Sequence, residues 1–165
     1  MIVADTNIVS TFARVGALPL LVRLLDGERL HITSGTYNEL RKAVEVGCAF
    51  LEPVLNAIPA QGELNLVELT QEEILALKNL PASFGAGEAE SVAVCLHRAG
   101  TRLLTNDKRA RNYCQEKSIP CLDLPAILRA LWVRKVLTKK KVKQLIGQIE
   151  TEQGMVIKNK EKILK

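Results

Sequence analysis

Aromatic side chains are scarce in this chain: Trp, Tyr and Phe together make up 4% of its 165 residues. Tyr37, Phe84, Tyr113 and Trp132 are too scattered to form a stacking platform, which argues against a reader of single strands built on rings laid over bases. Cysteine is equally thin. Cys48, Cys95, Cys114 and Cys121 contain no Cys-x-x-Cys pair and lie among apolar neighbours, so they read as reduced thiols, neither a zinc cage nor a disulfide framework. His31 and His97, the two histidines, make neither a zinc set nor an acid-base pair, and both read as structural. No apolar stretch reaches the roughly 18 residues of a membrane span, and no secretory leader pattern is present. The expectation is a soluble, cytoplasmic protein without membrane contact. The two glycines of Gly85-Ala86-Gly87 lack the following Gly-Lys-Ser/Thr that a phosphate loop needs.

What is present is an ordinary globular composition, 47% hydrophobic and 25% charged, in a chain long enough to bury its own core. Short apolar runs alternate with helical periods. Strands are expected to end at Asp5 and to cover 29–33, 64–69, 102–105 and 119–122. Helices are expected over 9–15, 18–25, from a Ser34 cap through Glu39, over 49–57, from the capping box Thr70-Gln71-Glu72-Glu73 toward 80, from Glu88, and over 108–117. A break falls at 59–62. Beyond Asp123 the pattern is helical over 124–136 and 138–149, with a last helix within 154–165. This αβ alternation predicts a three-layer α/β/α fold with a mostly parallel central sheet and extra C-terminal helices.

Four acids stand out against that frame. Asp5 closes the apolar run Met1-Ile2-Val3-Ala4, and Asp107 closes Arg102-Leu103-Leu104-Thr105-Asn106 about a hundred residues later. The carboxyl edge of a parallel sheet is where ligands bind. Glu39 falls inside the apolar arc of Thr36, Leu40, Ala43, Val44 and Val46, and Glu88 inside that of Ala89, Val92, Ala93, Cys95, Leu96 and Ala99, whereas Glu90 lies on a polar edge. A buried carboxylate costs several kcal/mol unless it is paired or bound to a metal. Each acid taken singly has a plainer role available: Asp5 and Asp107 as helix N-caps, Glu88 and Glu90 as first-turn partners of a helix dipole, Glu39 in a buried ion pair. Four oxygen ligands together, without His or Cys, point to Mg²⁺ or Mn²⁺.

The stretches Ile2-Val3-Ala4-Asp5-Thr6-Asn7, Ser34 to Glu39-Leu40, Gly87-Glu88-Ala89-Glu90 and Thr105-Asn106-Asp107-Lys108-Arg109-Ala110-Arg111 resemble, in order and spacing, those of PIN domains, the fold of VapC-type toxin ribonucleases. The resemblance runs from the first residue to about Leu131. One departure is Asn106, where the related subgroup often carries a second Asp. The resemblance implies a metal-dependent endoribonuclease, the toxin of a toxin-antitoxin pair, with RNA as substrate, a cognate antitoxin as partner and a homodimeric state. It also implies that Asp5, Glu39, Glu88 and Asp107 hold one or two Mg²⁺ or Mn²⁺ ions and carry the catalysis. Thr6, Asn7, Glu90, Thr105, Arg109 and Arg111 then fall in the substrate-contacting or supporting set. Arg109 and Arg111, two apart on a helix, cannot face the same way, and the sequence does not choose between them. The alternative is a PIN-like module that binds nucleic acid or protein without cutting.

Charge is uneven. Residues 134–165 hold ten Lys/Arg against three Asp/Glu, while the whole chain is only +5. A nuclease domain over 1–133 and a basic helical extension over 134–165, packed on the domain or on a partner, is the expected organisation. The cluster of Lys139, Lys140, Lys141 and Lys143 suits either a phosphate backbone or the solvated face of a helix whose Val142, Leu145, Ile146 and Ile149 turn inward.

Overall fold

Three consecutive residues of the first strand serve two different cores. In the computed structural model, which describes residues 1–58 and 64–165, Ile2 and Ala4 of β1 (Ile2–Ala4) face one hydrophobic cluster and Val3 faces another. This follows from the period-2 alternation of a strand whose two faces are both covered. β2 (Leu30–Thr33), β3 (Leu64–Val67), β4 (Arg102–Leu104) and β5 (Cys121–Leu122) complete a five-stranded sheet in the order β3-β2-β1-β4-β5. Every pairing is parallel, with Ala4 opposite Leu104 and Val3 opposite Leu103.

Parallel neighbours need crossover connections, and helices supply them. The larger core holds Ile2, Ala4, Leu30, Ile32, Leu64 and Leu104 against α1 (Thr6–Arg14), α2 (Leu18–Leu24), α3 (Ser34–Glu45) and α4 (Glu52–Ala57). α8 (Leu124–Val133) and α9 (Lys139–Gln153) close the same face. On the opposite face, Val3, Val67 and Leu103 pack against α6 (Ala86–His97) and α7 (Lys108–Glu116). α5 (Gln71–Ala76) lies beside α6, tied through the Arg98–Glu73 ion pair at 2.6 Å, in which Glu73 is fully buried. The result is a three-layer α/β/α fold. Among the described residues no single helix is long and apolar enough to cross a membrane.

The structure departs from sequence expectation in several places. Thr33, not Ser34, is the N-cap of α3, because its hydroxyl accepts the Thr36 N–H at 3.3 Å. Val46 does not join the inward arc of that helix; it is 83% exposed, since α3 ends at Glu45 and Gly47 turns the chain with a positive φ. On α6, Leu96 is exposed while Ser91 and Val94 are fully buried, because the helix is enclosed on more than one side and a single arc does not describe it; Ala99, expected in that arc, is exposed beyond the helix end at His97. The helix expected to reach 80 ends at Ala76 and continues as a 3-10 turn, and the break at 59–62 lies outside the described residues.

α8 stops at Val133, and Lys135 takes a left-handed conformation before Thr138 caps α9. Val142, Leu145, Ile146 and Ile149 of α9 are all buried in the larger core. Residues 154–165 are helical only in α10 (Lys160–Ile163), because Gly154 and Asn159 both adopt left-handed backbone and break the run.

Candidate metal centre

β1 lies between β2 and β4, so the chain leaves it toward one side of the sheet and returns on the other. The carboxyl ends of β1 and β4 therefore flank the reversal of strand order, where such sheets open a crevice. Asp5 stands at that end of β1, and its backbone N–H donates to the Leu104 carbonyl at 3.0 Å. Its side chain is buried and fully engaged. Oδ1 accepts the Ile8 N–H at 2.8 Å, capping α1, and Oδ2 accepts the Thr105 hydroxyl. Thr105, completely buried, also accepts the Asp107 N–H at 3.1 Å. One hydroxyl thus fastens the ends of two strands together.

Asp107 caps α7 through Oδ1, which accepts the N–H groups of Arg109 at 2.8 Å and Ala110 at 3.0 Å. Capping accounts for one oxygen of this residue and leaves Oδ2 without a protein hydrogen-bond partner among the described residues. A plain capping role and membership of an acidic centre therefore coexist in both aspartates.

Glu39 reaches the same place from α3. Its carboxylate accepts the Gly87 N–H at 2.9 Å and the Thr6 hydroxyl. This requires α3 and α6 to touch at their first turns, which two glycines permit. A Cβ on Gly35 would lie 2.8 Å from the Ala86 carbonyl carbon, and one on Gly87 would lie 2.7 Å from Thr36 Oγ1 and 3.0 Å from Glu39 Oε2. Glu90 reinforces the contact by accepting the Gly35 N–H at 2.6 Å, so it holds the helix that carries Glu39 and does not face the cleft itself. Glu88 accepts the Gly85 N–H at 3.1 Å, with Arg109 nearby at 3.9 Å.

Asp5, Glu39 and Glu88 line one open cleft of about 390 Å³ together with Thr6, Asn7, Ser10, Gly85 and Arg109. Asp107 borders it through Arg109, 3.6 Å from its carboxylate. Ser10 is not marked by the sequence motifs, and Gly85 enters there only in a glycine pair that lacks the rest of a phosphate loop; the spacing of Ser10, three residues after Asn7 on one helix face, is the signal that could have found it. Arg109 and Arg111 separate cleanly. Arg109 faces the cleft, while Arg111 turns to Asp123, the N-cap of α8.

The electrostatics are those of crowded anions. Burial pushes the Asp5 carboxyl up from 3.8 to about 6, against the lowering effect of its Thr105 and Ile8 hydrogen bonds, and the charges of Glu88 and Asp107 push the same way. Glu88 is raised above its ordinary value, chiefly by burial, with Asp107 and Glu39 adding to the effect while Gly85 and Arg109 oppose it. Among the described residues no Lys or Arg forms an ion pair with Asp5 or Glu39. Among the described residues no three acidic, His or Cys side chains close on a common point as a metal-ligand group. The donor set nevertheless fits a hard divalent cation: all oxygen, several negative charges, Arg109 as the neighbouring cation, and Asp107 Oδ2 without a hydrogen-bond partner among the described residues.

A family model described as a PIN domain matches residues 1–163 of this chain, and no curated protein gives a significant match.

Proposed function

The chain belongs to the PIN domain family, whose character is that of nucleases, and from that premise we propose that it is a Mg²⁺- or Mn²⁺-dependent endoribonuclease hydrolysing RNA phosphodiester bonds. The observation that carries this reading is the meeting of Asp5, Glu39 and Glu88 in one open cleft, with Asp107 close enough to raise the pKa of two of them. Asp5, Glu39, Glu88 and Asp107 would hold the cation. When bound, it would supply Lewis-acid polarisation of the phosphoryl group and lower the pKa of an attacking water.

The remaining work falls to the chain's own residues. Thr6 and Thr105 hold Glu39 and Asp5 in fixed rotamers by donating to them, which keeps the donor oxygens aimed before substrate arrives. Asn7 lines the cleft with a side-chain amide suited to a non-bridging phosphate oxygen, and Ser10, whose hydroxyl donates to the Asn7 carbonyl at 3.2 Å, lines it beside Asn7. Arg109 offsets part of the negative charge that would otherwise repel a phosphodiester. Serine, cysteine or lysine as a covalent nucleophile is not needed, because water is the acceptor.

The proposed setting is that of a toxin paired with a protein antitoxin, a reading supported by the motif resemblance. Incubating the purified chain with a mixed RNA pool in Mn²⁺, Mg²⁺ or EDTA, beside Asp5→Asn, tests the activity. Cleavage that needs metal and Asp5 is expected. Intact RNA in every metal arm would leave a non-cutting PIN module as the reading, and cleavage by Asp5→Asn would remove that residue from the catalytic set.

A further inference from the structure

The molecule has a cavity larger than the carboxylate cleft. It lies across the carboxyl edge of the sheet, about 560 Å³ in volume, between the starts of α7 and α8 and the C-terminal segment around α10. Its charged lining is nearly all of one sign: Arg111, Arg129, Lys158 and Lys162 against a single carboxylate, Asp123. That carboxylate is already committed, accepting Arg111 on one oxygen and the Ala126 N–H on the other. Lys158, Lys162 and Arg129 are exposed, and neither lysine forms an ion pair among the described residues. Arg111 adds a buried Nε–H without a protein acceptor. At one end the wall is Asn106, the residue between Thr105 and Asp107, so the basic cavity starts one residue from the acidic centre.

We propose that this cavity is the subsite for the phosphate backbone of a single-stranded RNA flanking the bond to be cut, a reading that rests on the ribonuclease assignment above. Arg111 is held by Asp123 and Arg129 donates to the Lys162 carbonyl at 2.9 Å, which fixes two cations in place, while Lys158 and Lys162 have no ion pair among the described residues and so add little to fold stability. The cavity is well suited to a polyanion that must be held while its neighbouring phosphate lies against negative charge. Asn106 lines the cavity directly beside Asp107 in the chain, which puts the two charged regions on the same edge of the sheet. The assignment also separates two basic regions that the sequence leaves merged. Lys139 Nζ lies 4.2 Å from the centre of the Trp132 ring, and the Lys139–Lys141 end of α9 lines a different hollow with Leu137 and Thr138. The triple lysine is therefore not part of the subsite.

The test uses the full-length chain and a fluorescein-labelled 12-nucleotide single-stranded RNA, with anisotropy read in EDTA so that binding is separate from cutting. Lys158→Gln combined with Lys162→Gln removes two exposed charges and should weaken binding about tenfold at low salt. The slope of log affinity against log salt should fall by about 1.4, or 0.7 for each lost phosphate contact on a single strand. The Lys139→Gln, Lys140→Gln, Lys141→Gln variant should bind within about twofold of wild type. Circular dichroism melts verify that both variants fold. In Mn²⁺ the double variant should raise KM for the 12-mer and leave kcat unchanged, as expected when only a flanking contact is lost. Equal affinity and salt slope for wild type and the folded double variant, or loss in the triple variant instead, would overturn the subsite. Binding that depends on Lys158 and Lys162 with no cleavage in any metal would keep the subsite and refute the ribonuclease reading.

Discussion

Replacing Asp5 by Asn removes a charge from a place where charge is unwelcome and keeps the shape of the side chain. In metal-free protein the Asp5 carboxyl titrates near 6 when folded and near 3.8 when unfolded. The folded state therefore binds the proton more tightly, and the stability associated with that proton is full below pH 3.8 and lost as pH rises through 6. Integrated to pH 7, the loss is about 3 kcal/mol, reliable as an order of magnitude because the side chain is buried. The amide escapes this penalty at every pH. Its oxygen can still cap Ile8 and its NH₂ can meet the Thr105 hydroxyl as the neutral acid would, and what the charged form gains from these contacts is already contained in the raised titration point.

The net expectation is an Asp5→Asn protein more stable than wild type by about 3 kcal/mol at pH 7, or a Tm higher by roughly 6–12 °C for a chain of this size. At pH 4 only about 0.5 kcal/mol of the penalty remains, so the advantage should nearly vanish there. It should grow steadily between the two. Urea denaturation in EDTA at pH 4 and pH 7 measures both values. A variant destabilised equally at the two pH values would refute the argument and return Asp5 to a purely structural cap.

Two further perturbations probe the scaffold under the site. Gly35→Ala places a methyl against the backbone of Ala86 and Gly87, where no flexible side chain can yield. It should cost about 2 kcal/mol in urea denaturation and sharply reduce RNA cleavage by drawing Glu39 off the Gly87 N–H, and wild-type behaviour in both assays would contradict the close-contact account. Arg98→Ala strands the buried Glu73 carboxylate and should cost about 3 kcal/mol or more in the same denaturation assay. Adding Glu73→Gln should recover much of that loss, and a cost under about 1 kcal/mol would show that the pair does not hold α5 to α6.

Strand ends were the most legible part of this chain. Ile2-Val3-Ala4-Asp5 and Leu103-Leu104-Thr105-Asn106-Asp107 each announce a buried strand meeting polar residues, and the structure places both at the reversal of strand order. Local rules also found the Thr70-Glu73 capping box, which needs only four residues to specify it. Features set by two distant segments were not legible. Gly35 and Gly87 are unremarkable singly and matter only because α3 and α6 meet. Glu90 looks like a surface acid until the Gly35 N–H is found beside it, fifty-five positions away in the chain. Arg109 and Arg111 divided only once Asp123 was seen to claim the second. The left-handed turns at Gly154 and Asn159 cut the expected last helix to one turn, and with it they set the cavity wall carrying Lys158 and Lys162.

The claim on which the account depends most is that these four acids form a divalent-cation site, and calorimetric titration of the metal-free chain with MnCl₂ tests it directly. Wild type at pH 6 should bind Mn²⁺ and release about half a proton from Asp5, seen as a binding enthalpy that varies with the ionisation enthalpy of the buffer. At pH 8 the proton release should vanish while binding persists. Asp5→Asn should bind at least about tenfold more weakly and release less. Absence of Mn²⁺ binding by folded wild type, or identical titrations for wild type and Asp5→Asn, would contradict the assignment.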